Sequence, residues 1–177
     1  MSFGRFAAVS VLALSSVALT GCVFSLGGGG DEQKPKVRAV DACPERDQAN
    51  WAKMTAFLES NKQLENVKVT ASGLQYRVVS EGKGTRKPTW ASSVQVRYKG
   101  TLVDGKVFDE TKPTEPPAEF EAGAVIKGWQ EALTMMREGD KWNVVVPSEL
   151  AYGCKGKGDK IKADQVLVFD IELLKIK

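Results

Sequence analysis

An α+β domain is what this sequence predicts: an antiparallel sheet with one helix packed in its concave face, preceded by an extra N-terminal helix. Three observations predict it. Apolar residues alternate with period two over 73–79, 94–98, 141–146 and 166–176, the pattern of half-buried strands. A single helical run, 128–136, interrupts them, and consecutive strands without a helix between each pair form an antiparallel sheet. The 177 residues are 42% hydrophobic, enough for one compact core but short for two domains.

The elements follow in chain order. Residues 1–6 carry one positive charge, Arg5, and 7–19 form an uncharged, mostly apolar run. That run is too short to span a membrane and ends in small residues, so 1–21 reads as a cleaved signal peptide. Leu19-Thr20-Gly21-Cys22 resembles a bacterial lipobox, which implies that Cys22 becomes the lipidated first residue of a mature lipoprotein. The plainer alternative is an ordinary secretory peptide cleaved nearby. Both readings place the protein outside the cytosol, as a periplasmic or cell-surface lipoprotein in the first and as a secreted protein in the second. Val23 after Cys22, in place of Asp, implies outer-membrane sorting in a two-membrane bacterium. Residues 22–42, with Gly27 to Gly30 and a charged run behind them, have nothing to bury and read as a flexible tether.

A helical segment is expected over 43–64. Pro44 suits a first helical turn and Glu45 suits the dipole. Trp51, Met54, Thr55 and Leu58 follow at helical spacing, with Phe57 beside them and Asn61 as the stop. About four turns is too short for a coiled-coil seam, so the stripe is expected to dock on the domain and the protein to be a monomer. The domain itself is placed at 65–177. In its last strand Leu167, Phe169, Ile171 and Leu173 alternate onto one face. After the helix, Glu138-Gly139-Asp140 reads as a turn.

Composition removes several classes of function. Lys plus Arg is 25 against 22 for Asp plus Glu, which leaves no footprint for nucleic acid. With no histidine, Ser-His-Asp and Cys-His nucleophilic sites are excluded and the commonest metal ligand is missing. Cys22, Cys43 and Cys154 are too far apart for a CxxC redox or zinc pattern. No metal and no cofactor are expected. What remains is chemistry by shape, hydrogen bonding and desolvation.

Five short runs carry the functional signal: Val96-Arg97-Tyr98-Lys99-Gly100, Asp104-Gly105-Lys106-Val107-Phe108-Asp109, Val125-Ile126-Lys127-Gly128-Trp129, Ala151-Tyr152-Gly153 and Leu167-Val168-Phe169-Asp170. Taken singly, each aromatic is what any half-buried strand carries. In this order and spacing, from about Gly73 to Lys177, they resemble the FKBP-type peptidyl-prolyl cis-trans isomerases. The chain is similar to the macrophage-infectivity-potentiator branch, without that branch's long dimerising helix.

The resemblance implies a half-barrel and an aromatic pocket that binds proline-containing polypeptides and macrolide ligands. Trp129 would be the floor, with Tyr98, Phe108, Phe169 and Phe120 as walls and Val125 and Ile126 on the rim. The Ile126 N–H and the Tyr152 hydroxyl would each hold a substrate carbonyl. Asp109, bonded to Tyr98, would face the twisted amide. Catalysis would thus rest on Tyr98, Asp109, Tyr152 and Phe169.

Many members carry Ile-Pro-Pro where this chain has Ile161-Lys162-Ala163. Ile161 is expected to keep an apolar contact with substrate, while loss of the prolines should loosen the loop. Lys155, Lys157, Lys160 and Lys162 give that rim a positive cast, opposed by Asp159. If Cys22 is lipidated, Cys43 and Cys154 are the thiols left in an oxidising compartment, and a disulfide between them is expected. The alternative function is capture of proline segments with little catalysis. The interval between Tyr152 and Phe169 is too short for the extra domain found in the chaperone branch of the family.

Overall fold

The structure, a computed structural model, describes residues 46–177. The expected signal segment, Cys22, the tether, Cys43, Pro44 and Glu45 lie outside the described residues.

The first element is helix α1 (Gln48–Asn61), and its start is set by chemistry at Asp47. The Asp47 side chain accepts the Asn50 N–H at 3.0 Å, satisfying one of the orphan amides of the first turn. The helix therefore opens at Gln48, later than the first turn expected at Pro44, and stops at Asn61 as expected. Its inward stripe is narrower than the sequence suggested. Met54 is buried and Trp51, Phe57 and Leu58 are half-buried, but Thr55 faces solvent.

Seven strands follow: β1 (Lys68–Val69), β2 (Gln75–Ser80), β3 (Ser93–Leu102), β4 (Val107–Glu110), β5 (Ala118–Glu121), β6 (Lys141–Val146) and β7 (Leu167–Ile176). Helix α2 (Lys127–Met135) lies between β5 and β6, and two 3-10 turns, Ser148–Leu150 and Gly153–Lys155, precede β7. All pairings are antiparallel, in the order β1-β2-β6-β7-β3-β4. Strand β5 pairs with the first half of β3 and β4 with the second half, so the two lie end to end on one edge. The break between them falls at Tyr98, whose N–H and C=O bond Thr111 instead of a strand neighbour. Strands β1, β4 and β5 escape sequence reading because they have two to four residues and no clean apolar alternation.

The longest ladder joins β3 to β7, from Val94 opposite Ile176 to Leu102 opposite Leu167. A bulge at Leu174 shifts its register, which is why Ile176 rather than Lys175 returns to the buried face. On that face α2 buries Trp129, Ala132 and Leu133 against Leu74, Val94, Val96, Val144, Val146, Leu167, Ile171 and Leu173. Each such aliphatic chain contributes roughly 1.5–3 kcal/mol by leaving water. A Cβ at Gly128 would collide with Val146, so glycine sets how closely the helix approaches the sheet.

The opposite face carries α1. Met54 packs with Val145 and Val166, flanked by Phe57, Leu58, Val103 and Val168. Gln75 clamps the end of α1, donating to the Leu58 carbonyl at 2.9 Å and accepting from Asn61 Nδ2 at 2.8 Å. The N-terminal helix is thus docked on the sheet.

Candidate functional site

A cavity of about 430 Å³ opens at the end of α2, lined by Tyr98, Phe108, Asp109, Phe120, Ala124, Val125, Ile126, Trp129, Tyr152, Lys157 and Phe169. Trp129, the third residue of α2, is its hub. The indole meets Tyr98 at 5.1 Å, Phe169 at 5.3 Å and Phe120 at 5.8 Å between ring centroids, all edge to face. Edge-to-face contact sets positive ring edges against negative faces, which fixes the box without metal or charge. Trp129 is 3% exposed and Phe169 5%, whereas Tyr98, Phe108 and Phe120 keep part of their surface open.

Local backbone chemistry aims these groups. In the β3–β4 hairpin, Gly100 opposes Asp109 and Thr101 opposes Val107, leaving Phe108 as the extra residue of a bulge. Neighbours on a regular strand point to opposite faces. The bulge lets Phe108 and Asp109 line the same cavity. A Cβ on Gly100 would stand 2.7 Å from Phe108 Cζ and 3.0 Å from Phe169 Cε1, so only glycine leaves room for both rings. On the other rim Gln130 donates from Nε2 to the carbonyls of Gly123 (2.9 Å) and Val125 (2.7 Å), holding the turn that presents Ile126. The Ile126 carbonyl accepts from Trp129 and Gln130, while its own N–H has no acceptor among the described residues.

The polar groups are few. Tyr98 donates its hydroxyl to Asp109 Oδ2 at 2.7 Å. Burial, then the hydrogen bond and negative charge of Asp109, and last Tyr152, push the Tyr98 phenol well above its ordinary value of 10.0. It therefore stays a proton donor at every physiological pH. Lys157 donates to the Tyr152 oxygen at 3.3 Å, which turns the Tyr152 proton away from the ammonium. Among the described residues, no group of three His, Cys, Asp or Glu side chains could hold a metal ion.

Nine of the ten residues expected at the pocket come together there. Ile161 does not. It is 6% exposed and packs into the main core, and its backbone exchanges hydrogen bonds with Lys157 in both directions. It supports the loop from below and is not among the residues that line the cavity. Without the prolines, that loop is tied by side chains and by a disulfide. Lys160 Nζ donates to the Phe108 carbonyl (3.0 Å), Asn50 of α1 donates to the Ala163 carbonyl (2.7 Å), and Cys154 is disulfide-bonded. Two lining residues, Ala124 and Lys157, were missed as pocket residues. The first adjoins the Val125-Ile126 run; the second sits in the lysine-rich loop whose charge was noted but whose direction needed coordinates.

Comparison with known proteins places this geometry. Residues 84–174 match the model for FKBP-type peptidyl-prolyl cis-trans isomerases, and 32–78 match the domain amino terminal to such isomerases. The chain is 46% identical over 132 residues to the FKBP-type 22 kDa peptidyl-prolyl cis-trans isomerase of Escherichia coli, covering 75% of this chain and 64% of that one. It is 44% identical over 128 residues to the outer membrane protein MIP of Legionella longbeachae, covering 72% and 54%. The chain thus spans between about half and two thirds of these curated relatives. The crystal structure of a peptidyl-prolyl cis-trans isomerase from Pseudomonas syringae superposes with a TM-score of 0.70 at 38% identity, covering 75% of this chain and 97% of that one. A family match that takes in every aromatic of the cavity, on a fold that superposes so fully, means that this chain belongs to the FKBP-type peptidyl-prolyl cis-trans isomerases.

Proposed function

We propose that this protein accelerates cis–trans isomerisation of Xaa-Pro bonds in exported polypeptides by desolvation and hydrogen bonding. The observation that carries the reading is the cavity over Trp129, walled by edge-on rings and rimmed by the Ile126 N–H, the Tyr152 hydroxyl and the Asp109 carboxylate. Rotation about the bond costs about 18–20 kcal/mol because amide resonance is lost, and uncatalysed exchange takes roughly tens to hundreds of seconds. A planar amide has more charge separation than a twisted one. A dry aromatic box penalises the planar form more, and each ~1.4 kcal/mol of difference is tenfold in rate. In this reading the proline ring sits on Trp129. The Ile126 N–H and the Tyr152 hydroxyl hold flanking carbonyls, and the Asp109 oxygen not taken by Tyr98 faces the rotating amide. Macrolides that fill such boxes are the expected inhibitors.

The setting is part of the proposal. A lipid on Cys22 would anchor a monomeric domain, through the tether, to the outer membrane. The outer-membrane name of the Legionella longbeachae relative supports that placement. The pairing of Cys154 with Cys43 is supported by the disulfide on Cys154.

Isomerisation of a short Xaa-Pro peptide by the purified protein tests the activity, with and without macrolide, beside Tyr152→Phe and Phe108→Ala. These variants are preferable to Phe169→Ala, whose ring is core and whose loss would cost about 3–5 kcal/mol of stability. Macrolide-sensitive acceleration, reduced about tenfold or more in either variant, is the expected result. A folded protein that binds macrolide without accelerating exchange would instead be a capture module.

A further inference from the structure

Among the lysines of the loop over the cavity, the structure separates one from the rest. Lys160 is spent on the Phe108 carbonyl, at 3.0 Å. Lys162 and Asp159 line a different groove, beside Lys53 and Met54 of α1. Lys155 stands exposed in the second 3-10 turn. Lys157 alone of the four lines the cavity, with its ammonium 3.3 Å from the Tyr152 oxygen and 5.0 Å from the centre of the Tyr152 ring. The loop backbone fixes this position. Lys157 and Ile161 exchange backbone hydrogen bonds, Ile161 is buried, and a Cβ at Gly156 would strike the Ile161 carbonyl.

The sole acid in the lining is Asp109, and its Oδ2 already accepts the Tyr98 hydroxyl. Asp159, the acid of the loop itself, faces the α1 groove. Among the described residues Lys157 forms no ion pair, so its ammonium at the mouth beside Tyr152 is open to a carboxylate from outside, with Asp109 as the one opposing charge in the lining. If the Tyr152 hydroxyl holds a carbonyl next to the proline, that carbonyl lies at most about 6 Å from the ammonium, within reach of an adjacent side chain.

We infer that Lys157 is a specificity-determining residue that favours substrates carrying a carboxylate on a residue flanking the proline. The inference rests on the isomerase reading above and names its substrate class. Lys157 is exposed, so water and salt weaken the attraction, and an exposed pair of this kind changes rates by about two- to five-fold at low salt.

The test compares kcat/KM for paired peptides that differ by Glu or Gln, placed immediately before or immediately after the proline. In the purified protein at low salt, one Glu peptide or both should exceed the Gln counterpart by about two- to five-fold. The ratio should fall toward one near about 0.5 M salt. Lys157→Gln should bring it to one at low salt, and Lys157→Glu should invert it in favour of Lys-flanked peptides. Lys162→Gln, in the other groove, should keep the ratio of the parent protein. Gln peptides accelerated with no Glu preference, or a preference that survives Lys157→Gln, would overturn the assignment of Lys157 and leave the isomerase standing. No acceleration of any peptide would overturn both.

Discussion

At the scale of single residues, the site is built from a small number of groups, and the backbone decides which way they point. Tyr98 shows this most directly. Its ring is a wall of the box against Trp129 and Phe120, and its hydroxyl fixes Asp109. The phenol titrates above its unfolded value of 10.0, so the folded state keeps the proton that an unfolded chain would release. The stabilisation is complete below about pH 10 and is lost as pH rises above it. Denaturation midpoints of the parent protein should therefore decline more steeply above about pH 10 than those of Tyr98→Phe. Equal slopes would mean that another group governs the alkaline limb. Near neutral pH, Tyr98→Phe should keep the ring packing and lower kcat/KM about tenfold by freeing Asp109. The identities of these residues were legible in the sequence. That Phe108 and Asp109 share a face was not, because it depends on a bulge that appears only when β4 is paired with β3.

At the scale of elements, helix α1 and the loop before β7 hold one another, and α1 packs outside the cavity lining. Met54 is 2% exposed and is the only fully buried residue of α1. Met54→Ala should cost about 2–4 kcal/mol by the transfer and cavity terms. Its kcat/KM under native conditions should stay within about twofold, since Met54 packs on the face opposite the box. Urea titration and the peptide assay on the same preparation would check this. A large loss of activity in a fully folded variant would mean that α1 shapes the site. Contact between the two elements is visible at Asn50, which donates to the Ala163 carbonyl and accepts from Gln165. Arg46 lies 3.6 Å from the buried Asp164 carboxylate in the same stretch. The sequence foretold a docked helix from its spacing, but it foretold a loose loop from its missing prolines. The loop is held by side chains distant in sequence, and no local rule of backbone stiffness registers such contacts.

At the scale of the whole molecule, one sheet is covered on one face by α2 and on the other by α1, with the cavity at the exposed end of the α2 layer. The disulfide on Cys154, two residues past Tyr152, adds a covalent tie beside the site. Removing it with Cys154→Ser should lower stability by about 2–4 kcal/mol under oxidising conditions. If Cys43 is the partner, Cys43→Ser should cost the same and the double variant no more, read by denaturant midpoints with and without reductant. Additive losses would send the search to Cys22. By itself the sequence determined the α+β class, the strands that form the spine, the helix that fills the sheet, and the residue types of an aromatic box. The class and the elements follow from local periodicity, and the box from the resemblance of five ordered runs to the FKBP-type family. Only the tertiary structure decided that Ile161 belongs to the core, that Phe108 and Asp109 point together, and that Lys157 rather than its neighbours reaches the cavity. Those outcomes depend on register, bulges and long-range packing, which join residues through space and leave no period in the chain.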